Sequence, residues 1–227
     1  ISAAVKRVGA DLGVIFDADC DRAAIVDQTG KEINRNRLIA LISAILLEEM
    51  PGATIVTDSV TSSGLADFIK EWGGEHYRYK RGYRNVIDEA IRLNEAGVNA
   101  PLAIETSGHA ALRENYFLDD GAYLVTRIII EAVRLKKAGK PLLSLIEDLH
   151  TAKESLEVRL SFNTPDWKNL GAFVIENMKK TKNRDLIVAP DNYEGVRVSI
   201  PKFKGWFLIR MSVHDPIMPI NIESDLN

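Results

Sequence analysis

A regular alternation of short apolar runs and longer amphipathic runs constrains the fold of this chain more than any other feature. Strand-like segments such as TIVTD and PLAIE separate runs with apolar residues at helical spacing, such as RNRLIALISAILLEEM. Each helical run ends at residues that stop helices: Pro51-Gly52, Gly73-Gly74, Gly97 and Gly139. Strands that alternate with helices in this way predict an α/β domain over residues 31–150.

The pattern changes near residue 150, and the change predicts a second, smaller domain. ESLEVRLSFNTPD is extended and alternating, DWKNLGAFVIENMKK has helical spacing, and three strand-like runs follow it. We therefore expect a mixed α/β domain followed by a small α+β domain with an antiparallel sheet. Upstream, residues 3–9 predict the end of a helix, while LGVIF and AAIVD predict two strands, the first of them buried.

The composition argues against several functional classes for this chain of 227 residues. Its net charge of −3 gives no reason to expect nucleic acid or a membrane surface as a partner. No apolar run approaches the roughly 20 residues of a membrane-spanning helix. The single cysteine, Cys20, leaves no internal disulfide and fits the cytoplasm. The chain opens part-way into a helix-like segment, so we expect it to be the tail of a longer polypeptide.

Three aspartates at alternate positions, Asp17, Asp19 and Asp21, stand between the two predicted strands in FDADCDR. Carboxylates this close together repel each other unless a cation or several donors neutralise them. Hard oxygen ligands of this kind suit Mg²⁺, so the spacing predicts a magnesium site. An EF-hand calcium loop is excluded, because Arg22 and Gln28 stand where such a loop needs glycine and glutamate.

Two other interpretations of this loop remain open at this point. A haloacid dehalogenase-like phosphatase also runs from an apolar strand into an aspartate pair, with Asp17 as nucleophile and Asp119-Asp120 as a distal acidic pair. Such an enzyme normally has threonine or valine where this chain has Asp21. The loop could also be a polar turn without a metal, although three unpaired carboxylates beside a core strand are costly.

Three stretches follow one another along the chain: DADCDR, ETSGH and GWFLIRMSVHDPIMPINIES. Together they resemble the α-D-phosphohexomutase superfamily, the phosphomannomutases and phosphoglucomutases. Enzymes of this family have four domains. The resemblance implies that residues 1–30 are the end of the second, 31–150 the third and 155–227 the fourth. The first domain, which carries a phosphorylated serine, and most of the second have no counterpart, and no stretch resembles Thr-Ala-Ser-His-Asn-Pro.

The resemblance also implies roles for the acidic loop. Asp17, Asp19 and Asp21 would hold Mg²⁺, and Arg22 would be a catalytic side chain close to the phosphoserine. Metal and guanidinium together would neutralise the phosphoryl group as it moves. The family usually has glycine where this chain has Ala18.

The stretch ETSGH would be the sugar-recognition loop of the family. Glu105 and Ser107 would contact two neighbouring sugar hydroxyls, and His109 would be a second catalytic side chain nearby. The family usually has glycine where this chain has Ile104. From local sequence alone, TSGH is also compatible with the N-cap of a helix.

Two further groups of residues would bind the anionic parts of the substrate. Lys80 and Arg81 stand in a basic turn, YKRGYRNV, which on local sequence alone is also compatible with a solvated face. Arg210, Ser212 and His214 would bind the distal phosphate. This loop departs from the family's Arg-x-Ser-Gly-Thr-Glu-Pro and its later arginine at four positions: Val213, His214, Asp215 and Pro219. Arg197 would approach the same region.

The resemblance implies a phosphohexomutase that interconverts hexose 1-phosphates and 6-phosphates of glucose or mannose through a phosphoserine and a bisphosphate. The serine would lie in N-terminal domains absent from this chain, so we expect the chain alone to be inactive. Besides the phosphatase, a catalytically silent sugar-phosphate-binding module of the same family remains an alternative.

Overall fold

Hydrophobic side chains gather in two units of the chain, Ile1–His150 and Thr151–Asn227. The structure is a computed structural model, and it describes residues 1–212 and 215–226. Within those residues, no helix is both long enough and apolar enough to cross a membrane. The two units share no sheet and no core cluster among the described residues.

The first unit combines a β-hairpin, a four-stranded sheet and several helices. Its elements are α1 (Ser2–Val8), β1 (Leu12–Phe16), β2 (Ala23–Asp27), α2 (Asn36–Glu49), β3 (Thr54–Thr57), α3 (Ser63–Glu71), β4 (Glu75–Arg78), α4 (Tyr83–Glu95), β5 (Leu102–Ile104), β6 (Ala110–Leu112) and α5 (Gly121–Lys137). Strands β1 and β2 pair antiparallel as the hairpin. The sheet has the order β4-β3-β5-β6, with β3 parallel to both neighbours and β6 antiparallel to β5.

The helix α2 forms the centre of the larger core. Its residues 38–47 are all buried and, apart from Ser43, apolar, as expected of a helix enclosed by protein. Residues of α3, α5 and β2 share this core on one face of the sheet. Helix α4 covers the opposite face, where Val86 and Ala90 pack near Val56 and Ala103. Parallel strands require such cover on both faces.

The carboxyl ends of the three parallel strands meet at one edge of the sheet. Thr57 at the end of β3 pairs with Arg78 at the end of β4 and with Ile104 at the end of β5. The segments that follow these strands therefore leave the sheet side by side. This edge is where open α/β sheets bind their ligands.

The second unit is an antiparallel sheet with one helix on it. Its elements are β7 (Glu154–Ser161), α6 (Trp167–Lys179), β8 (Ile187–Val188), β9 (Val196–Ile200), β10 (Gly205–Ile209) and β11 (Ile217–Ser224). The strand order is β7-β11-β10-β9-β8, and all neighbours are antiparallel. Ile175 of α6 shares a core with Val196, Val198 and Ile209 of the sheet.

The structure confirms the predicted fold class, a mixed α/β unit followed by an α+β unit with an antiparallel sheet. The prediction that LGVIF is a buried strand is wrong for its second half, because Ile15 and Phe16 are 52% and 38% exposed. Two strands were not predicted. Strand β6 is only three residues long, and β11 contains Pro219, which argues against a strand.

The predicted division into residues 1–30, 31–150 and 155–227 stays a prediction about domains. In the structure, Ala23 and Ile25 of the hairpin are buried in the same core as α2 and α5. The hairpin is therefore physically part of the first unit.

Candidate functional site

The acidic loop joins β1 to β2 through a tight turn that points three carboxylates at one place. Cys20 donates its N–H to the carbonyl of Asp17 at 3.3 Å and has a φ of +63°. Asp17, Asp19 and Asp21 each offer a carboxylate oxygen, and these oxygens all lie within 4.8 Å of one another. The alternate spacing noted in the sequence thus becomes a real convergence of negative charge.

Arg22 holds the first of these carboxylates ionised. Its Nε donates to Oδ2 of Asp17 at 2.6 Å, and its backbone N–H donates to Oδ1 at 3.2 Å. Desolvation opposes ionisation of Asp17, but these hydrogen bonds outweigh it, and the pKa of Asp17 is lowered. Among the described residues, Oδ1 of Asp21 is buried and has no hydrogen-bond partner. The loop can therefore offer charged oxygens, one of them unsatisfied, to a cation.

His109 lies beside this loop, although it is 87 positions after Arg22 in the sequence. The two residues form an antiparallel backbone bridge. Nδ1 of His109 is 2.7 Å from Oδ2 of Asp119 and 3.5 Å from Oδ2 of Asp21. Its ring stacks on Tyr83 with 4.9 Å between centroids. The imidazole is thus held between a carboxylate and an aromatic ring, next to the acidic loop.

Asp119 completes a second convergent group with Asp21 and His109, whose ligand atoms also lie within 4.8 Å of one another. Burial raises the pKa of Asp119, and the neighbouring His109 partly opposes this change. The next residue, Asp120, has a different task. It caps α5 by accepting from the N–H of Tyr123 at 2.9 Å. Asp119 and Asp120 therefore do not act as a pair.

Glu105 ties the predicted sugar loop to the predicted basic turn. It is buried, and its Oε1 accepts from the N–H of Gly82 at 2.6 Å. Its Oε2 accepts from the hydroxyl of Ser107 at 3.0 Å. The loop turns back at Gly108, whose φ of +101° favours glycine. TSGH is accordingly a strand-to-strand turn, and the alternative of a helix N-cap is wrong.

The basic turn reaches this site through its backbone at Gly82. Lys80 is exposed, and its Nζ lies 5.7 Å from the centroid of the Tyr79 ring. Arg81 is half-buried, and its charge acts on the buried carboxylate of Asp58. A substrate contact by either side chain stays a prediction.

The predicted phosphate loop lies in the second unit, directly after β10. The N–H of Arg210 donates to the carbonyl of Pro219 at 3.2 Å, and that of Ser212 donates to the carbonyl of Ile217 at 3.0 Å. Nη2 of Arg210 is 3.9 Å from Oε2 of Glu157, and Nη1 is 4.0 Å from Oε1 of Glu194. The loop thus presents a guanidinium and a hydroxyl. His214 and Val213 lie outside the described residues.

Arg197 was expected near the same loop. Its guanidinium carbon lies 3.5 Å from the centroid of the Trp206 ring, in a cation–π contact, and the side chain is buried. An approach of Arg197 to the phosphate stays a prediction.

The family model for phosphoglucomutase/phosphomannomutase, alpha/beta/alpha domain III, matches residues 34–152. The chain belongs to this family. Its resemblance to the phosphohexomutases is thereby confirmed. The haloacid dehalogenase-like alternative loses its support, because Asp119, its distal acidic residue, lies within residues that match a phosphoglucomutase/phosphomannomutase domain.

Similar proteins cover almost all of this family member. A phosphomannomutase/phosphoglucomutase from Pseudomonas syringae pv. tomato is 31% identical over 226 residues, which is 98% of this chain and 45% of the relative. A phosphoglucomutase from Neisseria gonorrhoeae is 30% identical over 98% of this chain and 46% of the relative. The chain therefore spans a little under half the length of these relatives.

A solved structure agrees with these sequence relatives. A phosphoglucomutase/phosphomannomutase family protein from Burkholderia thailandensis is 29% identical and superimposes with a TM-score of 0.80. The match covers 100% of this chain and 45% of the chain from Burkholderia thailandensis. The architecture described above is thus that of a phosphoglucomutase/phosphomannomutase over the same span.

Several residues at this family member's site were not found from sequence. Tyr83, which stacks on His109, and the hydrogen-bonded pair Thr106 and Asp58 were not singled out. Asp119, which contacts His109, was named only for the phosphatase alternative. The sequence did contain a signal for Asp58. Asp58 directly follows the strand TIVT, just as Glu105 directly follows LAI, and the ends of parallel strands converge.

Proposed function

We propose that this chain is the metal-, sugar- and phosphate-binding part of a phosphohexomutase. The enzyme would convert hexose 1-phosphate into hexose 6-phosphate, of glucose or mannose, through a phosphoserine and a bisphosphate. The serine would lie in N-terminal domains of the same polypeptide, outside this chain. We also place the protein in the cytoplasm, where its exposed free thiol at Cys20 would stay reduced.

One observation carries the proposal. The backbone bridge between Arg22 and His109 brings the acidic loop next to the loop that starts at Glu105. Groups that would bind a phosphoryl oxygen thus lie next to groups that would bind a sugar hydroxyl. Phosphoryl transfer to a sugar needs this combination.

Mg²⁺ is the cofactor that the acidic loop would hold. Asp17, Asp19 and Asp21 would be its ligands, and their convergent oxygens and the unsatisfied Oδ1 of Asp21 fit a hard cation. When bound, the ion would supply positive charge to the phosphoryl oxygens. Arg22 would add a guanidinium on the same side.

The sugar would be recognised by Glu105 and Ser107. The carboxylate of Glu105 is already oriented by two donors, Gly82 and Ser107, so little order has to be gained when hydroxyls bind. His109 would take part in moving the proton of the reacting sugar hydroxyl. With Nδ1 directed to Asp119, Nε2 is the ring nitrogen that can exchange a proton with a sugar hydroxyl.

The far phosphate would be bound in the second unit by Arg210 and Ser212, with His214 as a further predicted ligand. A guanidinium and a hydroxyl suit a phosphate dianion. Lys80 and Arg81 would add positive charge at the sugar loop.

The metal site is tested by calorimetric titration of the full chain with Mg²⁺, repeated with Mn²⁺. We expect Asp19→Asn to weaken binding at least about tenfold, because it removes one charged ligand but no side-chain hydrogen bond among the described residues. Asp67→Asn changes an exposed aspartate of α3 and should leave the affinity unchanged. A chain that binds neither metal at millimolar concentration contradicts the proposed metal site.

A catalytically silent sugar-phosphate-binding module is the second candidate. It is favoured by the departures in the phosphate loop at Val213, His214, Asp215 and Pro219. Assays of the full-length polypeptide with glucose and mannose 1-phosphates separate the two, because only a mutase produces the 6-phosphates.

A further inference from the structure

Asp58 is a fully buried carboxylate at the ligand-binding edge of the sheet. It follows β3 directly, its exposure is 0%, and burial raises its pKa to about 6. The negative charge of Glu105 raises this pKa further, and the positive charge of Arg81 lowers it. A buried carboxyl group costs stability unless it is well bonded, so its presence here calls for a physical reason.

Among the residues that the structure describes, the carboxylate accepts hydrogen bonds from one neighbour, Thr106. Oδ2 accepts from the hydroxyl of Thr106 at 2.6 Å and from the N–H of the same residue at 3.4 Å. The first of these distances is that of a short hydrogen bond to a carboxylate. Within residues 1–212 and 215–226, Oδ1 of Asp58 has no hydrogen-bond partner.

Thr106 is the residue between Glu105 and Ser107. Because Thr57 and Ile104 are paired in register, Asp58 and Glu105 leave the sheet as direct neighbours. The segment after Asp58 is also held in place. Thr61 donates its hydroxyl to the carbonyl of Asp58 at 3.1 Å, and Arg78 donates to that hydroxyl at 3.1 Å. Asp58 is thus a fixed point to which the centre of the loop is attached.

We propose that Asp58 is a positioning residue of the sugar-recognition loop. Its hydrogen bonds to Thr106 fix the directions in which the neighbouring side chains, Glu105 and Ser107, face the hexose hydroxyls. The inference rests on the proposed function only for the identity of the ligand. The anchoring itself belongs to the ligand-free chain.

Two substitutions at Thr106 form a matched pair. Thr106→Val removes the hydroxyl and keeps the shape of the side chain, whereas Thr106→Ser keeps the hydroxyl. Asp58→Asn keeps an acceptor for the hydroxyl, and Asp58→Ala removes it. We expect Thr106→Val and Asp58→Ala to release the loop, and Thr106→Ser and Asp58→Asn to keep it in place. The double variant Asp58→Ala/Thr106→Val should loosen the loop no more than the more affected single variant does, because each single variant already removes the same hydrogen bond.

The first readout needs no ligand. Gly82 and Gly108 donate their N–H groups to Glu105, so their hydrogen-exchange rates report how well this residue is placed. We expect Thr106→Val to raise both rates about tenfold while exchange in α2 stays unchanged. Unchanged rates at Gly82 and Gly108 overturn the proposal. So does an equal rise in Thr106→Ser.

The second readout compares two ligands of the full chain by calorimetry, glucose 6-phosphate and inorganic phosphate. Thr106→Val should weaken binding of glucose 6-phosphate about tenfold, equivalent to about 1.4 kcal/mol, with the affinity for phosphate unchanged. An equal loss for both ligands, or none for the sugar phosphate, overturns the link to sugar recognition. If the unmodified chain binds no sugar phosphate, the proposed function fails, and the exchange rates still decide the anchoring.

Discussion

Asp17 and Asp58 are carboxylates of the same unit whose surroundings act on their charge in opposite directions. Asp17 is kept ionised because hydrogen bonds from Arg22 outweigh its desolvation, and its pKa is lowered. Asp58 is buried, and its pKa is raised to about 6 because one threonine does not offset the loss of water. A ligand for a cation needs a carboxylate that stays ionised, as Asp17 does. A carboxyl group that only anchors a loop, as Asp58 does, can tolerate a raised pKa.

The raised pKa predicts how the stability of the chain depends on pH. In the unfolded chain Asp58 releases its proton near the ordinary value of 3.8, but the folded chain keeps it up to about pH 6. The folded state therefore binds more protons in this window, and the free energy of unfolding falls as pH rises through it. At about 1.4 kcal/mol per pKa unit, the total loss is on the order of 3 kcal/mol.

Asp58→Asn should remove this component of the pH dependence. Urea denaturation at intervals between pH 4 and pH 7 measures the free energy of unfolding of both proteins. The exposed variant Asp67→Asn serves as the control and should retain the slope of the unmodified chain. An Asp58→Asn slope equal to that of the unmodified chain would show that Asp58 titrates alike in both states.

At the scale of elements, the start of α5 fixes the position of the acidic loop. A Cβ added at Gly121 would lie 2.8 Å from the backbone carbon of Arg22 and 3.1 Å from the nitrogen of Ala23. These are backbone atoms and cannot rotate away. The helix therefore approaches the loop closely only because its first residue has no side chain.

Gly121→Ala is expected to destabilise the first unit by about 1–3 kcal/mol through overpacking. The displaced loop should also bind Mg²⁺ more weakly. Denaturation and metal titration of the same preparation measure both effects. The neighbouring exposed position provides the control, and Ala122→Ser should change neither quantity appreciably. Unchanged stability and affinity in Gly121→Ala would mean that the loop moves freely relative to the helix.

At the scale of the whole molecule, the two units divide the predicted chemistry between them. The first holds the acidic loop and the sugar loop, and the second holds Arg210 and Ser212 of the phosphate loop. The chain spans a little under half of its relatives, and its sequence contains no Thr-Ala-Ser-His-Asn-Pro-like stretch.

We therefore expect the purified chain to show no conversion of glucose 1-phosphate to glucose 6-phosphate in the presence of Mg²⁺. A coupled dehydrogenase assay measures this directly, with the full-length polypeptide as the positive control. Turnover by the chain that disappears in Asp19→Asn would contradict the expectation, because it would place the phosphoryl donor inside these 227 residues. Turnover that persists in that variant would indicate a contaminating enzyme.

Much of the fold follows from local sequence. Apolar spacing and the Gly and Pro residues at helix ends predict α2 to α5, and alternation predicts β7 and β9. The same reasoning missed β6 and β11, because three residues are too few to show a period and Pro219 argues against a strand. It also placed all of β1 in the core, although Ile15 and Phe16 are exposed.

The sequence by itself determined that Asp17, Asp19 and Asp21 lie close together, because residues this near along the chain cannot be far apart in space. It also determined that Glu105 stands at the end of a strand. Only the tertiary structure decided what these groups meet. The contacts of His109 with Asp119, and of Asp58 with Thr106, depend on strand register and on how β2 runs beside the loop. Register is a property of paired strands, and a single stretch of sequence does not contain it.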